Sequence, residues 1–182
     1  NRRTSSRDQE MQISLKETWK KEFSRSLSTS TASDDTLYVG ESGRVVALDL
    51  ASGNEKWRYE VAIDSPPTLV GDMVVFGGRD GYVYNLRATD GALVWRFLAA
   101  PVDRRHVAFG NLESVWPCHG SVLINDDIVY VAAGRSSFLD GGIYLYGLDL
   151  GTGAVLHSNV LKTTQPQKTT KLDTYNTRGA LP

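Results

Sequence analysis

The side chains best suited to ligand recognition fall in two stretches, 101–119 and 134–142. Guanidinium groups bind anions and hydroxyl-bearing ligands through directed hydrogen bonds, and an indole ring offers a plane for stacking. These residue types predict a surface for an anion or a sugar. The alternative is that they tie the two stretches together through salt bridges and a buried tryptophan. The candidate residues are Arg104, Arg105, Trp116, His119, Arg135 and Asp140.

The lone cysteine gives little support to metal binding or nucleophilic chemistry. Cys118 and His119 are adjacent, and His106 precedes them, but no second cysteine or spaced ligand pair accompanies these residues. Neighbouring residues of a strand point to opposite faces, which disfavours a Cys–His nucleophile pair. The sequence also has no phosphate-binding or dinucleotide fingerprint. We therefore predict no catalytic residue and no metal ligand.

Composition argues against several classes of partner. The chain carries 20 basic and 21 acidic residues, so its formal net charge of -1 creates no field that favours nucleic acid or an anionic membrane. No apolar run approaches the length of a membrane span, so none is predicted. A single cysteine cannot form an intrachain disulfide, which fits either an oxidising or a reducing compartment.

A segment that ends in tryptophan recurs along the chain. Trp19, Trp57 and Trp95 are each separated by 38 residues, and a third, stretched copy ends at His157. Between them lie short runs that alternate at period 2 and are cut by glycine turns, which favours about four strands per repeat. Repeats of this size and content are typical of propeller blades. The predicted fold is all-β, a partial β-propeller of about three four-stranded blades.

The repeat register also predicts the boundaries and the positions of the insertions. Successive propeller strands run in opposite directions, so the links between blades and the loops between second and third strands share one face. The three long loops, at 101–119, 134–142 and from 162 onward, are all of these two kinds, so we expect them to lie together. The predicted parts are a linker or frayed end at 1–16, the last strand of a preceding blade at 17–23, blades at 28–60, 67–98 and 121–160, and a long loop leading to a missing blade at 161–182.

The stretch 47–57 fits the pattern A-x-D-x-x-[ST]-G-x-x-x-W. It resembles the tryptophan-docking motif of the pyrroloquinoline-quinone-like (PQQ-like) repeat propellers. The resemblance implies that the tryptophan inserts between adjacent blades and that the aspartate holds the turn. Asn85 and Arg87 replace the alanine and aspartate in the second copy, and Gly147 and His157 replace the alanine and tryptophan in the third. The docking residues carried over by position are Ala47, Asp49, Gly53, Trp57, Gly91, Trp95, Asp149 and Gly153.

This family includes non-catalytic outer-membrane assembly lipoproteins of the BamB type and quinoprotein dehydrogenases. Its propellers have about six to eight blades, so the chain is expected to be a fragment whose partners include the remaining blades. The family is mostly periplasmic or extracellular, which is the expected location.

The expected function is a non-catalytic binding or scaffold module whose long-loop face holds a protein or a glycan. The first alternative is part of a PQQ-dependent quinoprotein oxidoreductase, using PQQ with Ca²⁺, and the second is a sensor domain of a larger protein. The dehydrogenases place a disulfide between adjacent cysteines over the cofactor, whereas Cys118 stands alone here. No cofactor is therefore predicted within this segment.

Overall fold

The computed structural model describes residues 16–23, 27–41, 43–108 and 110–163. These residues form fourteen β-strands, and no helix in this part of the chain could cross a membrane. Twelve of the strands build three antiparallel sheets of four, each in chain order, and the other two form a hairpin. The all-β, partial-propeller architecture predicted from the repeat is confirmed.

The three sheets occupy successive stretches of the chain. The first contains β1 (Leu27–Ala32), β2 (Thr36–Glu41), β3 (Arg44–Asp49) and β4 (Glu55–Tyr59). The second contains β5 (Thr68–Val70), β6 (Met73–Gly77), β7 (Tyr82–Arg87) and β8 (Leu93–Leu98). After the hairpin of β9 (Arg105–Ala108) and β10 (Asn111–Ser114), the third contains β11 (Leu123–Asn125), β12 (Ile128–Ala133), β13 (Ile143–Asp149) and β14 (Val155–Leu161).

The core lies between the sheets. One apolar cluster joins the first and second sheets and includes Tyr38, Trp57 and Phe76. A second joins the second and third sheets and includes Val83, Trp95, Val129, Leu148 and the hairpin-proximal Trp116. The middle strands β3 and β7 are buried on both faces, whereas the outer face of the third sheet is open. The sheets therefore stack as blades.

Each docking tryptophan contacts the turn of the next sheet in the same way. The indole Nε1 atoms of Trp19, Trp57 and Trp95 donate to the carbonyls of Leu50, Ala88 and Leu150, each at 2.8 Å. The rings lie on Gly53, Gly91 and Gly153, where an added Cβ would come within 2.7 Å of indole carbon. These glycines also have φ values of +71° to +72°, which disfavour other residues.

The aspartates of the motif hold the turns that receive the tryptophans. Asp49 accepts hydrogen bonds from the amide and hydroxyl of Ser52 at 2.8 and 2.7 Å, and Asp149 accepts the same pair from Thr152. These bonds lower the pKa of both carboxyl groups. In the second copy, Arg87 instead pairs with Asp90 at 2.7 Å across the same turn. An ion pair thus replaces the hydrogen bonds of the aspartate where the motif departs from its pattern.

The ends of the stack differ from the sequence-based boundaries. Residues 16–23 form no strand, although Trp19 docks as its spacing predicts. Leu161, placed in a terminal loop by the sequence analysis, ends β14. The proposed linker before residue 16 and the loop beyond residue 163 lie outside the described residues. On the outer face of the third sheet, His157 lines an open groove of about 540 Å³ with Tyr130 and Tyr146.

Candidate functional site

The first two long loops meet on one face together with residues 162–163 at the start of the third, as the strand directions predict. The amide of Gly134 in the second loop donates to the carbonyl of Pro117 in the first, at 3.0 Å. The amide of Thr163, at the start of the third, donates to the carbonyl of Ser137, also at 3.0 Å. We call the surface formed by 101–119, 134–142 and 162–163 the long-loop face.

Arg104, Trp116 and Asp140 form one unit of this face. Arg104 donates to the Asp140 carboxylate at 2.9 Å, and its guanidinium carbon lies 5.0 Å from the centre of the Trp116 ring. The Trp116 Nε1 donates to the backbone carbonyl of Asp140 at 2.7 Å. Because Trp116 is only 5% exposed, it does not offer the open stacking plane that the sequence suggested. It instead supports Arg104 and fixes Asp140, whose φ is +52°.

A buried carboxylate holds Arg135. Glu113 lies on the β9–β10 hairpin and is 3% exposed, and its Oε1 is ion-paired with Nη2 of Arg135 from the second loop. His106, on the facing strand, places its Nε2 3.9 Å from the same oxygen. The Nε of Arg135 and the Nδ1 of His106 are buried without a hydrogen-bond partner among the described residues. This cluster joins the hairpin to the second loop.

His119 is held by a pair of residues that the sequence analysis missed. Its Nδ1 contacts the carboxylate of Asp64, which also accepts a hydrogen bond from Nε of Arg79 at 2.6 Å. Partial burial opposes ionisation of Asp64, but the bonds from His119 and Arg79 prevail and lower its pKa to about 2. Asp64 lies in the link between the first two blades, and Arg79 lies between β6 and β7. Links between blades and loops between second and third strands share the long-loop side, so the strand directions place both Asp64 and Arg79 there. This was the signal in the sequence that could have identified them.

The remaining candidates are separate from these clusters. Arg105 pairs with its near neighbour Asp103 at 3.0 Å, and both side chains are largely exposed. Cys118 is buried, and this burial raises the pKa of its thiol. A buried, protonated thiol is a poor nucleophile and a poor metal ligand. Three groups of charged residues therefore lie on the face, and Arg105 belongs to none of them.

The β9–β10 hairpin lies within the stretch 101–119, for which the sequence predicts a loop. Its strands pair in register, with Val107 opposite Leu112 and His106 opposite Glu113. The amide of Ser114 donates to the carbonyl of Arg79 at 2.8 Å, which ties the hairpin to the second blade. The long-loop face therefore contains an ordered two-stranded element as well as loops.

The stacked sheets and the threefold tryptophan-to-glycine docking define a PQQ-like repeat propeller segment. Residues 12–178 match the family model described as outer membrane protein assembly factor BamB, and the chain belongs to this family.

This chain aligns with only part of the length of each relative. The outer membrane protein assembly factor BamB of Bordetella pertussis is 37% identical over 82 residues, which are 43% of this chain and 21% of that protein. The solved BamB of Moraxella catarrhalis aligns with 78% of this chain and 51% of its own, at TM-score 0.52 and 21% identity. The quinohemoprotein alcohol dehydrogenase ADHIIG of Pseudomonas putida HK5 aligns with 73% and 20%, at TM-score 0.61 and 19% identity. The chain thus spans about a fifth of the curated relative it matches.

The described residues gather no set of acidic side chains of the kind that calcium in the dehydrogenase branch would need. Calcium takes six to eight oxygen ligands, mostly carboxylates and carbonyls. No three His, Cys, Asp or Glu side chains gather at a metal-binding distance in the described part of the chain. The carboxylates of Asp64 and Glu113 already face an arginine and a histidine each. We therefore assign no cofactor chemistry to these residues.

Proposed function

We propose that this propeller segment is a non-catalytic binding or scaffold module that uses its long-loop face to hold a protein or a glycan. The supporting observation is that Arg104 and Asp140 stay at least 40% exposed on ordered loops. The loop charges also pair with one another, Arg135 with Glu113 and His119 with Asp64, so the salt bridges named above as the alternative are present and order the face. Catalytic acids, bases and nucleophiles act on a substrate. On the long-loop face, the acidic, basic and histidine side chains instead pair with one another and hold the loops in place. Loops fixed before binding lose less conformational entropy when a partner docks.

The exposed groups of the face suggest how a partner is contacted. The side chains of Arg104, Arg105 and Asp140 are 40% or more exposed and remain the proposed polar contacts. Arg135 and His119 are less exposed and are proposed to contribute at the edge of their clusters. Leu139 is 65% exposed beside Asp140 and adds an apolar contact. Trp116 is proposed to act by holding Arg104 in place.

The family supports a protein as partner and a location outside the cytoplasm. Relatives of this chain are named outer membrane protein assembly factors. By analogy we propose a periplasmic or extracellular location, with the remaining blades of the same protein as additional partners.

Site-specific photo-crosslinking tests this proposal. A photoreactive amino acid is placed at Leu139 on the long-loop face and, as a control, at Val94 on β8, which is also exposed. We expect a discrete product with a protein or glycan from Leu139 and none from Val94 when the full-length protein is irradiated in its native cells. Equal labelling from both positions would contradict a dedicated long-loop surface.

The second candidate function is part of a PQQ-dependent oxidoreductase. It is favoured by the fold similarity to a quinohemoprotein alcohol dehydrogenase. The misfit of the described residues to calcium places it second. Direct cofactor uptake separates the two candidates.

A further inference from the structure

The β9–β10 hairpin has the reverse of the usual surface alternation. Its inner face carries Glu113, which is buried and paired with Arg135. Its outer face carries Val107 and Leu112, which are 73% and 64% exposed. A half-buried antiparallel element normally turns its apolar residues inward and its charged residues to water. On this hairpin the apolar side chains therefore face solvent while the charged Glu113 is buried.

The backbone of β9 adds an open edge beside this apolar pair. The amide of Val115 donates to the carbonyl of Arg104 at 2.9 Å, whereas the amide of Ser114 points away from β9 to Arg79. Backbone groups alternate in direction along a strand, so the groups of Leu112 also point away from β9. Val107 is the register partner of Leu112, so its backbone N–H and C=O point away from β10, toward the outer side of β9. Among the described strands β9 pairs only with β10, so no described strand occupies its outer side.

The register makes Val107 and Leu112 a close pair. Because their backbone groups point outward, they form a non-hydrogen-bonded pair, the type in which cross-strand side chains lie nearest each other. A strand added at the outer edge of β9 would therefore place its own side chains beside Val107, with Leu112 directly behind it on β10.

Charge argues for an uncharged partner. Arg105, on the same strand as Val107, is paired with Asp103 at 3.0 Å, so the local formal charge is zero. A polyanion or an anionic lipid surface gains its affinity from unpaired basic residues. A protein segment that pairs backbone to backbone gains it from hydrogen bonds and alternate apolar side chains.

We infer that the outer edge of β9, together with Val107 and Leu112, is a docking surface for an extended apolar segment of another protein, which adds as a strand beside β9. This inference rests on the proposed binding function and specifies the class of partner and the mode of contact. The backbone of β9 supplies hydrogen bonds, and the Val107–Leu112 pair selects apolar side chains at alternate positions.

A synthetic peptide that alternates valine with threonine is the probe. Its binding to the full chain is followed by fluorescence anisotropy, and a peptide of the same composition with a central proline is the peptide control. We expect the alternating peptide to bind and the proline peptide to bind at least about tenfold more weakly, since proline lacks an N–H for a ladder. Equal binding of the two peptides, or no binding of either, would overturn the inference.

Variants of the chain locate the contact. The double change Val107→Ser and Leu112→Ser should weaken peptide binding by about tenfold or more. Leu123→Ser is the matched control, because Leu123 is also 64% exposed but lies on β11. Val107→Pro removes the outward N–H and the valine side chain without breaking a hydrogen bond to β10, and it should also weaken binding. Circular dichroism verifies that each variant stays folded. Unchanged binding by the double variant would overturn the proposed surface.

Sedimentation of the chain without peptide tests whether a second copy of the chain, rather than another protein, occupies this surface. If the chain self-associates and the Val107→Ser, Leu112→Ser change abolishes this, the surface belongs to a second copy and the inference is overturned. A chain that sediments as a monomer, or whose self-association is unchanged by the double substitution, agrees with the inference. Crosslinking from Leu139 is a separate readout, so a failed peptide experiment with retained Leu139 crosslinks would reject the strand-docking mode and leave the binding function standing.

Discussion

The indole ring of Trp57 lies on Gly91 of the following blade, and its Nε1 donates a 2.8 Å hydrogen bond to the carbonyl of Ala88. This contact fills the space left by the missing side chain and satisfies the one polar atom of the ring. Trp95 and Gly153 repeat it one blade later. The relationship joins successive blades and sets the register in which the long loops are displayed.

Truncating the docking tryptophan should destabilise the chain strongly. Trp57 is buried, so Trp57→Ala removes a large apolar side chain and is expected to lower the free energy of unfolding by about 3–5 kcal/mol. Trp57→Phe keeps most of the apolar contact but loses the bond to Ala88 and should cost less. Urea unfolding followed by fluorescence of the remaining tryptophans measures both. A neutral Trp57→Ala would show that the ring does not join the blades.

Replacing the docking glycine Gly91 should destabilise the chain far more than replacing Gly71, another glycine with a positive φ. At Gly91, φ is +71° and an added Cβ would lie 2.7 Å from the Trp57 ring, whereas at Gly71, φ is +55° and nothing lies within 4 Å. Gly91→Ala therefore adds a steric clash to the backbone penalty and should cost about 3 kcal/mol, against about 1 kcal/mol for Gly71→Ala. Chemical denaturation compares them. Equal costs would mean that backbone conformation alone requires glycine at position 91.

The arginines of the long-loop face should differ in their effect on stability. From the sequence, removal of charge at Arg104, Arg105 and Arg135 is expected to leave the melting temperature nearly unchanged. The structure revises this for Arg135, because its partner Glu113 is buried and would be left as an unpaired charge. Arg135→Ala should cost about 3 kcal/mol, and Arg105→Ala, which breaks an exposed pair, less than about 1 kcal/mol.

Removing the buried charge should rescue the Arg135 variant. In the Arg135→Ala background, Glu113→Gln eliminates the unpaired carboxylate and is expected to recover part of the lost stability in thermal melts. If Arg135→Ala and Arg105→Ala melt at the same temperature, the Glu113 ion pair has no structural role.

Asp64 should contribute stability that disappears in acid. Its pKa is lowered from an ordinary 3.8 to about 2 in the folded chain, so the folded state favours the ionised carboxylate. The contribution is therefore fully present above about pH 4 and is lost as the pH falls from about 4 toward 2. Asp64→Asn should destabilise the chain near neutral pH and reduce the loss of thermal stability across that acid range. A pH profile identical to that of the unchanged chain would contradict the assigned His119–Asp64–Arg79 contacts.

Sequence predicted the features that depend on short-range chemistry. The spacing of Trp19, Trp57 and Trp95, and the glycine turns between them, carry the docking interaction because ring and turn recur at fixed positions in each repeat. Insertions into a known repeat also reveal which loops share a face. Strand direction alone therefore predicted the meeting of the loops that contain Arg104 and Asp140.

Long-range partners were not predictable in the same way. Asp64 contacts His119 across 55 positions of sequence, and both of its partners depend on how two blades are placed in space. The β9–β10 hairpin was missed because its strands are only four residues long and lie in an insertion that the other repeats lack. The inward position of Glu113 depends on its pairing with Arg135, which is a long-range contact.

Cofactor uptake by the full-length protein tests the central claim most directly. The claim is that the long-loop face binds a partner and performs no quinone chemistry. PQQ and Ca²⁺ are added, unbound cofactor is removed by gel filtration, and retained quinone absorbance and dye-linked alcohol oxidation are measured. The account predicts no stoichiometric quinone and no oxidation, whereas tight one-to-one uptake with alcohol-dependent dye reduction would contradict it.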